Sequence, residues 1–147
     1  MSDWRGIGLT TVSMAIIGQV IHTVESILTM GYYMDPAYFS VWSKVMMPTA
    51  GPPPTEFYVY SVAFDIIIWA IFGFAFDKLG RALGSGRVFA RGLKFGTIIF
   101  LVSGLSGTLS MFLLINLPTG LIAAWTVSQL VLYLIGGVVA ARLIELH

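Results

Sequence analysis

The chain has 147 residues, of which 57% are hydrophobic and 10% are charged. Soluble domains contain about 25% charged residues, so this composition is typical of a single integral membrane domain over residues 1–147. The net charge of +1 gives no electrostatic basis for binding nucleic acid, and the absence of cysteine excludes disulfides, thiolate catalysis and cysteine metal sites.

Four apolar segments each come close to the roughly 20 residues that a helix needs to cross a bilayer. They cover residues 7–30, 57–76, 95–115 and 121–143. The sequence therefore predicts an all-α fold, a membrane bundle of four transmembrane helices with the lipid bilayer as its partner.

The basic residues are divided unevenly between the two sides of this four-helix topology. Lys44 alone lies on one side, and positive residues tend to stay in the cytoplasm. We therefore expect both termini and the central loop to be cytoplasmic, with the protein in the bacterial inner membrane. The basic residues of the cytoplasmic side are Arg5, Lys78, Arg81, Arg87, Arg91, Lys94 and Arg142.

The first outer loop contains a predicted short helix over residues 36–46. Asp35 followed by Pro36 is a common helix start, an acidic cap before a proline at the first helical position. The next apolar residues recur at the spacing of one helical face, and aromatic residues favour the membrane surface, so we expect an interfacial helix. That face consists of Tyr38, Val41, Trp42 and Val45.

Small residues recur four apart in the third and fourth helices, which lets neighbouring backbones approach closely. The short connection over residues 116–120 makes these two helices antiparallel neighbours, so packing within the chain explains the pattern. The alternative is a seam between copies in a homo-oligomer. The small residues are Ser103, Gly107, Ser106, Ser110, Gly136, Gly137, Ala140 and Ala141.

Ionisable residues occur inside only the first two predicted helices. His22 and Glu25 are three residues apart on one face of the first helix, and Asp65 lies in the second. Because such groups are costly at membrane depth, they face the protein interior and find partners there. Counting about 1.5 Å per residue places all of them in the outer half of the bundle. The sequence predicts a polar pocket there, built from His22, Glu25 and Asp65, with Gln19, Ser106 and Gln129 nearby.

Three interpretations of this pocket remain open. It is a structural network in which His22, Gln129 and hydroxyl groups satisfy the carboxylates, or a site for a cation, a proton or a small polar ligand on a transport path. The third is a metal site in which His22, Glu25 and Asp65 hold a divalent cation. No other cofactor is indicated, since His147 lies on the opposite side of the membrane and a haem held by two histidines is excluded.

Several short motifs resemble a loose family of small bacterial four-helix membrane proteins that have not been characterised. The resemblance covers most of the chain and implies the four-helix fold but no activity. The residues that carry it are His22-x-x-Glu25, Arg91-Gly92-Leu93, Leu117-Pro118-Thr119-Gly120 and Gly137-x-x-Ala140-Ala141-x-Leu143.

The function that we expect is that of a non-enzymatic integral membrane protein with a buried polar site for an ion or small ligand. The alternative is an accessory or structural subunit of a larger membrane complex. A membrane enzyme that acts on lipid or quinone is a third hypothesis, but no motif in the sequence favours it.

The topology can be tested with reporter fusions. A fusion at Ser85 is expected to report the cytoplasm and one at Ala50 the exterior, because positive residues flank only the first position closely. The measurement is the activity of a reporter that works on only one side of the membrane. The opposite pattern would reverse the orientation of all four helices.

Overall fold

The computed structural model describes residues 2–48, 51–84 and 86–144. Ala50 and Ser85, the fusion positions, lie outside these ranges, and so does His147. Within the described ranges the ordered elements are all helical. The all-α prediction is confirmed to this extent.

Four long helices form the bundle. The first is α1 (Trp4–Leu28), which is followed by the short α2 (Met30–Tyr33), and the second is α3 (Thr55–Leu79). The third long helix consists of α4, a π-helical segment and α5, and the fourth is α6. Their bounds are Val88–Ile99, Phe100–Leu105, Ser106–Leu114 and Thr119–Leu143. A short 3-10 helix, Gly80–Leu83, extends α3.

Each long helix is long and apolar enough to cross a membrane, which confirms the four segments predicted from hydropathy. The largest difference is at the start of the third helix, which begins at Val88 rather than at residue 95. Arg91 and Lys94 therefore belong to the helix and not to the preceding loop. Basic side chains lower the hydropathy of a segment without interrupting its backbone hydrogen bonds.

The structure does not show the predicted helix over residues 36–46. The helix start is correct, since Asp35 accepts a hydrogen bond from the Ala37 amide at 2.9 Å. However, only Pro36–Tyr38 forms a 3-10 helix, and turns follow it. The chain leaves the helical path because the Trp42 ring packs against Tyr33, with 5.1 Å between ring centroids.

The bundle has two different ends, which we call the terminal end and the loop end. The start of α1 and the end of α6 lie together at the terminal end, where the Lys78 ammonium donates to the Ser2 hydroxyl at 2.5 Å. The segment between α2 and α3 and the turn between α5 and α6 lie at the opposite end, the loop end.

The closest helix contact joins α4 to α6 through glycine. A Cβ atom on Gly92 would lie 2.6 Å from the carbonyl oxygen of Gly137 and 2.7 Å from the Cα atom of Val138. A Cβ atom on Gly96 would overlap the backbone of Tyr133 in the same way. Only residues without a side chain allow the two backbones to come this close. The predicted packing of the third helix against the fourth is thus present within one chain.

Aromatic rings fill the space beside this glycine contact. Phe72 packs edge-on against Phe95, with ring centroids 5.0 Å apart, and Phe76 meets the same ring at 5.1 Å. Trp69 contacts Phe72 at 5.1 Å. These rings bring α3 onto α4, so all four long helices meet near the terminal end. The buried core of that region is completed by Ile7, Met14, Leu132, Ala140, Ala141 and Ile144.

The loop end is much less tightly packed. No residue of α5 is buried. The π-helical segment explains why the small residues that were predicted to contact the fourth helix are exposed. Each π turn contains one extra residue, and this residue rotates the helical faces that follow it by about 100°. The Ser106 hydroxyl donates to the Leu101 carbonyl, five residues earlier, at 3.5 Å. The exposed small residues are Ser103, Ser106, Gly107 and Ser110.

The glycine contact gives a direct test. We expect Gly92→Ala to lower the free energy of unfolding by about 1–3 kcal/mol, because the added methyl group meets the backbone of α6. The matched control is Gly107→Ala, where a Cβ atom has nothing within 4 Å. Thermal unfolding in a neutral detergent measures both. A Gly92→Ala protein that melts with the wild type would contradict the contact.

Candidate functional site

A cavity of about 950 Å³ lies at the loop end of the bundle. Its walls come from α1, α2, α3 and α6 and from residues 43–47 and 51–53. Most of the wall is apolar or aromatic, with two carboxylates and one histidine in it. The lining residues of the described chain include no lysine or arginine.

Asp65 is held on the wall of the cavity by a side chain from the facing helix. The Gln19 amide on α1 donates to Asp65 Oδ2 at 2.7 Å and to the Ser61 hydroxyl at 3.1 Å. Gly18 makes room for this pair, since a Cβ atom there would lie 3.2 Å from Asp65 Oδ2 and 3.5 Å from Trp69 Nε1. With 9% of its surface exposed, Asp65 is a buried acid whose one described donor is neutral.

Glu25 lies nearer the loop end and is equally buried, with 9% of its surface exposed. Its Oε1 atom accepts a hydrogen bond from the Thr29 hydroxyl at 2.8 Å. The same hydroxyl lies 2.8 Å from the Glu25 backbone carbonyl, a common arrangement one turn along a helix. Gln19 and Glu25 are six residues apart, so the two anchoring points on α1 differ in depth by about 9 Å.

Tyr33 lies on the cavity wall near Glu25. The Trp125 indole N–H of α6 donates to the Tyr33 hydroxyl at 2.9 Å, which joins α6 to α2. Burial raises the pKa of the Tyr33 hydroxyl, the hydrogen bond from Trp125 lowers it, and the nearby charge of Glu25 raises it again. The net shift is upward, so Tyr33 remains a neutral group that can donate a hydrogen bond.

The other predicted site residues are divided by the structure. His22 and Gln129 line the cavity, but neither side chain has a hydrogen-bond partner among the described residues. Ser106 is the exception, because it is exposed and bonds within its own helix. The π-helical segment turns it away from the position that a regular helix would give it. Five of the six predicted residues therefore meet in one cavity.

The metal interpretation requires His22, Glu25 and Asp65 to converge. No three histidine, cysteine, aspartate or glutamate side chains lie close enough to hold a metal ion anywhere in residues 2–48, 51–84 and 86–144. The difference in depth between Glu25 and Asp65 accounts for this result. The predicted metal site at His22, Glu25 and Asp65 is therefore wrong.

Sequence reasoning missed several residues of the site. Thr29 and Ser61 are short hydroxyl side chains that occur throughout membrane helices, so neither has a distinctive signal. Tyr33 and Trp125 could have been found only by placing the end of α1 beside α6. Four methionines also line the cavity, and hydropathy counts them simply as apolar residues: Met30, Met34, Met46 and Met47.

Comparison of the chain with protein-family models, with curated proteins and with solved structures gives no match.

The support that Gln19 gives to Asp65 can be measured. We expect Gln19→Leu to lower the free energy of unfolding by about 1–3 kcal/mol, because it leaves a buried carboxyl group without its donor. Gln129→Leu is the matched control, since it removes an amide from the same cavity without removing a hydrogen bond between described residues. Equal melting temperatures for the two variants would show that the 2.7 Å contact contributes nothing.

Proposed function

We propose that this protein is an integral membrane protein that binds a small organic cation in the cavity at the loop end. The observation that carries the proposal is a pair of buried carboxyl groups, Glu25 and Asp65, that line one cavity without a lysine or arginine in its described wall. The proposal concerns binding, and it assigns no reaction to the site.

The hydrogen bonds of the two acids leave room for a ligand. An ionised carboxyl group has about four acceptor positions. Glu25 receives one hydrogen bond from a side chain, that of Thr29, and Asp65 receives one from Gln19. A self-sufficient polar network fills more of these positions, since buried charge is stable only when it is paired and hydrogen-bonded. A cation in the cavity supplies what is lacking.

The size and walls of the cavity favour an organic cation over a bare ion. Binding sites for drug-sized molecules measure roughly 300–1,000 Å³, and this cavity of about 950 Å³ lies within that range. Aromatic rings on its wall attract cations through their negative faces. They belong to Tyr33, Phe57, Tyr58, Tyr60, Phe64 and Trp125.

The four apolar helices support placement in a bilayer. Many large apolar side chains are exposed on their outer surfaces, as is expected where lipid replaces water. The uneven distribution of basic residues supports an orientation in which the loop end, and with it the cavity, faces the exterior. In that orientation the site is accessible to molecules outside the cell.

The charge preference can be tested with two probes of nearly the same shape. Tetraphenylphosphonium is a cation and tetraphenylborate an anion, so any difference in binding reports the sign of the site. We expect the purified protein in neutral detergent to bind the cation and not the anion. Glu25→Gln should weaken cation binding by about tenfold or more, which corresponds to about 1.4 kcal/mol. Isothermal titration calorimetry measures each affinity.

The matched control for this experiment is Glu56→Gln. Glu56 is an exposed acid in the first turn of α3 and does not line the cavity. Its substitution removes the same charge from the chain without touching the site, so cation affinity should stay at the wild-type value. Equal binding of both probes, or unchanged affinity in Glu25→Gln, would refute the proposal.

A further inference from the structure

The cavity wall towards the loop end is rich in methionine. Four of the seven methionines in the chain line it, all of them towards the loop end. We call this group the methionine mouth, and it consists of Met30, Met34, Met46 and Met47. The chain contains no cysteine, so methionine thioethers are the soft donor groups that it offers to a metal ion.

The first pair of methionines is held by α2. Met30 and Met34 are four residues apart, and the Met34 amide donates to the Met30 carbonyl at 3.1 Å. Residues with this spacing lie one above the other on the same helical face. Both thioethers therefore start from the same side of one helical turn.

The second pair is held by a hydrogen-bonded turn. The amides of Met46 and Met47 both donate to the Ser43 carbonyl, at 3.1 and 2.9 Å. The Met46 amide also donates to the Ser43 hydroxyl at 3.2 Å. The backbone of this pair is thus fixed by the turn, in a segment that lines the same cavity as α2.

Aromatic rings tie the two pairs together. Trp42, just before the second pair, packs on Tyr33, which lies between the members of the first. Trp42 also contacts Trp125 of α6, with ring centroids 6.4 Å apart. The Trp42 indole N–H is buried and has no hydrogen-bond partner in the described chain, so ring packing places this side chain. The rings thus place the segment that carries the second pair beside α2 and α6.

The first pair of methionines is about half exposed, with Met30 at 49% and Met34 at 54%. Their side chains are accessible from the cavity and have three rotatable bonds, so the sulfur atoms can adapt to a bound ion. Leucine would give the same apolar surface with no ligand atom.

We propose that the methionine mouth binds one soft monovalent metal cation, copper(I) or silver(I), through thioether sulfur. Thioethers select soft cations, while magnesium and calcium require oxygen ligands. This site uses residues other than Glu25 and Asp65, so the inference goes beyond the organic cation site and does not depend on it.

Silver(I) is the probe, because it is stable in air and has the same preference for sulfur. The full-length protein in neutral detergent is titrated with silver nitrate in chloride-free buffer that contains a large excess of N-acetylmethionine. Native mass spectrometry counts the bound ions. We expect one silver ion to remain on the protein, since an assembled site retains the ion against single thioethers. Complete removal of silver by the competitor would overturn the proposal.

The residues are tested with Met34→Leu combined with Met46→Leu, one change in each pair. Leucine keeps the volume and apolar character and removes only the sulfur. We expect silver affinity to fall roughly 10–100-fold or more, since even residues that merely support a metal ligand have effects of that size. Met111→Leu is the matched control, because Met111 is exposed on α5 and lies outside the cavity. Equal silver affinity in the double variant and the control would refute the site.

A measurement on the wild-type protein avoids any dependence on the folding of a variant. With 13C-labelled methionine methyl groups, silver is expected to shift the signals of the four mouth methionines and to leave those of Met14 and Met111 unchanged. Shifts confined to other methionines would refute the assignment.

The two proposals fail in different ways. If only the metal site is wrong, the affinity for tetraphenylphosphonium still falls in Glu25→Gln, while the affinity for silver does not change in the double variant Met34→Leu with Met46→Leu. If only the organic cation site is wrong, the affinity for silver falls in the double methionine variant, while Glu25→Gln leaves the affinity for tetraphenylphosphonium unchanged.

Discussion

The contact between Gly92 and Gly137 is the constraint from which the shape of the bundle follows. Two backbones that touch at one point leave no space for side chains there, so the larger residues pack beside the contact. The rings of Phe72, Phe76 and Phe95 take that space and bring α3 against α4. All four long helices are therefore closely packed near the terminal end. No comparable contact joins them at the loop end within the described chain, and the cavity lies there.

The acidic groups depend on this asymmetry. A tightly packed helix bundle has no room for a buried carboxylate unless a small residue faces it, and Gly18 provides that room for Asp65. Farther towards the loop end, Glu25 accepts its side-chain hydrogen bond from Thr29 of the same helix. Asp65 is thus held between two helices, while Glu25 is held by its own helix. The two acids differ in how they are held as well as in depth.

Hydropathy predicts the four helices well because apolar length is a property of each segment by itself. Clustering of five polar residues in one cavity was also predictable, since each is costly at membrane depth. The position of Ser106 was not predictable, because the π-helical segment changes which residues face the bundle. Such a segment has no sequence signature as clear as proline or glycine at a turn. The helix expected over residues 36–46 fails for a related reason: the packing of Trp42 on Tyr33 overrides a local periodic pattern.

The methionine mouth could not be predicted from periodicity for a similar reason, because a local pattern does not show how separate segments pack. Its members lie in two segments separated by a loop whose path depends on aromatic packing, and each segment by itself looks merely apolar. What distinguishes the site is that both segments line one cavity, which no single stretch of sequence contains. The carboxyl groups belong to α1 and α3, and the thioethers belong to α2 and to the turn at Ser43. Under the two proposals the cavity would therefore discriminate between cations by charge and by softness at separate places.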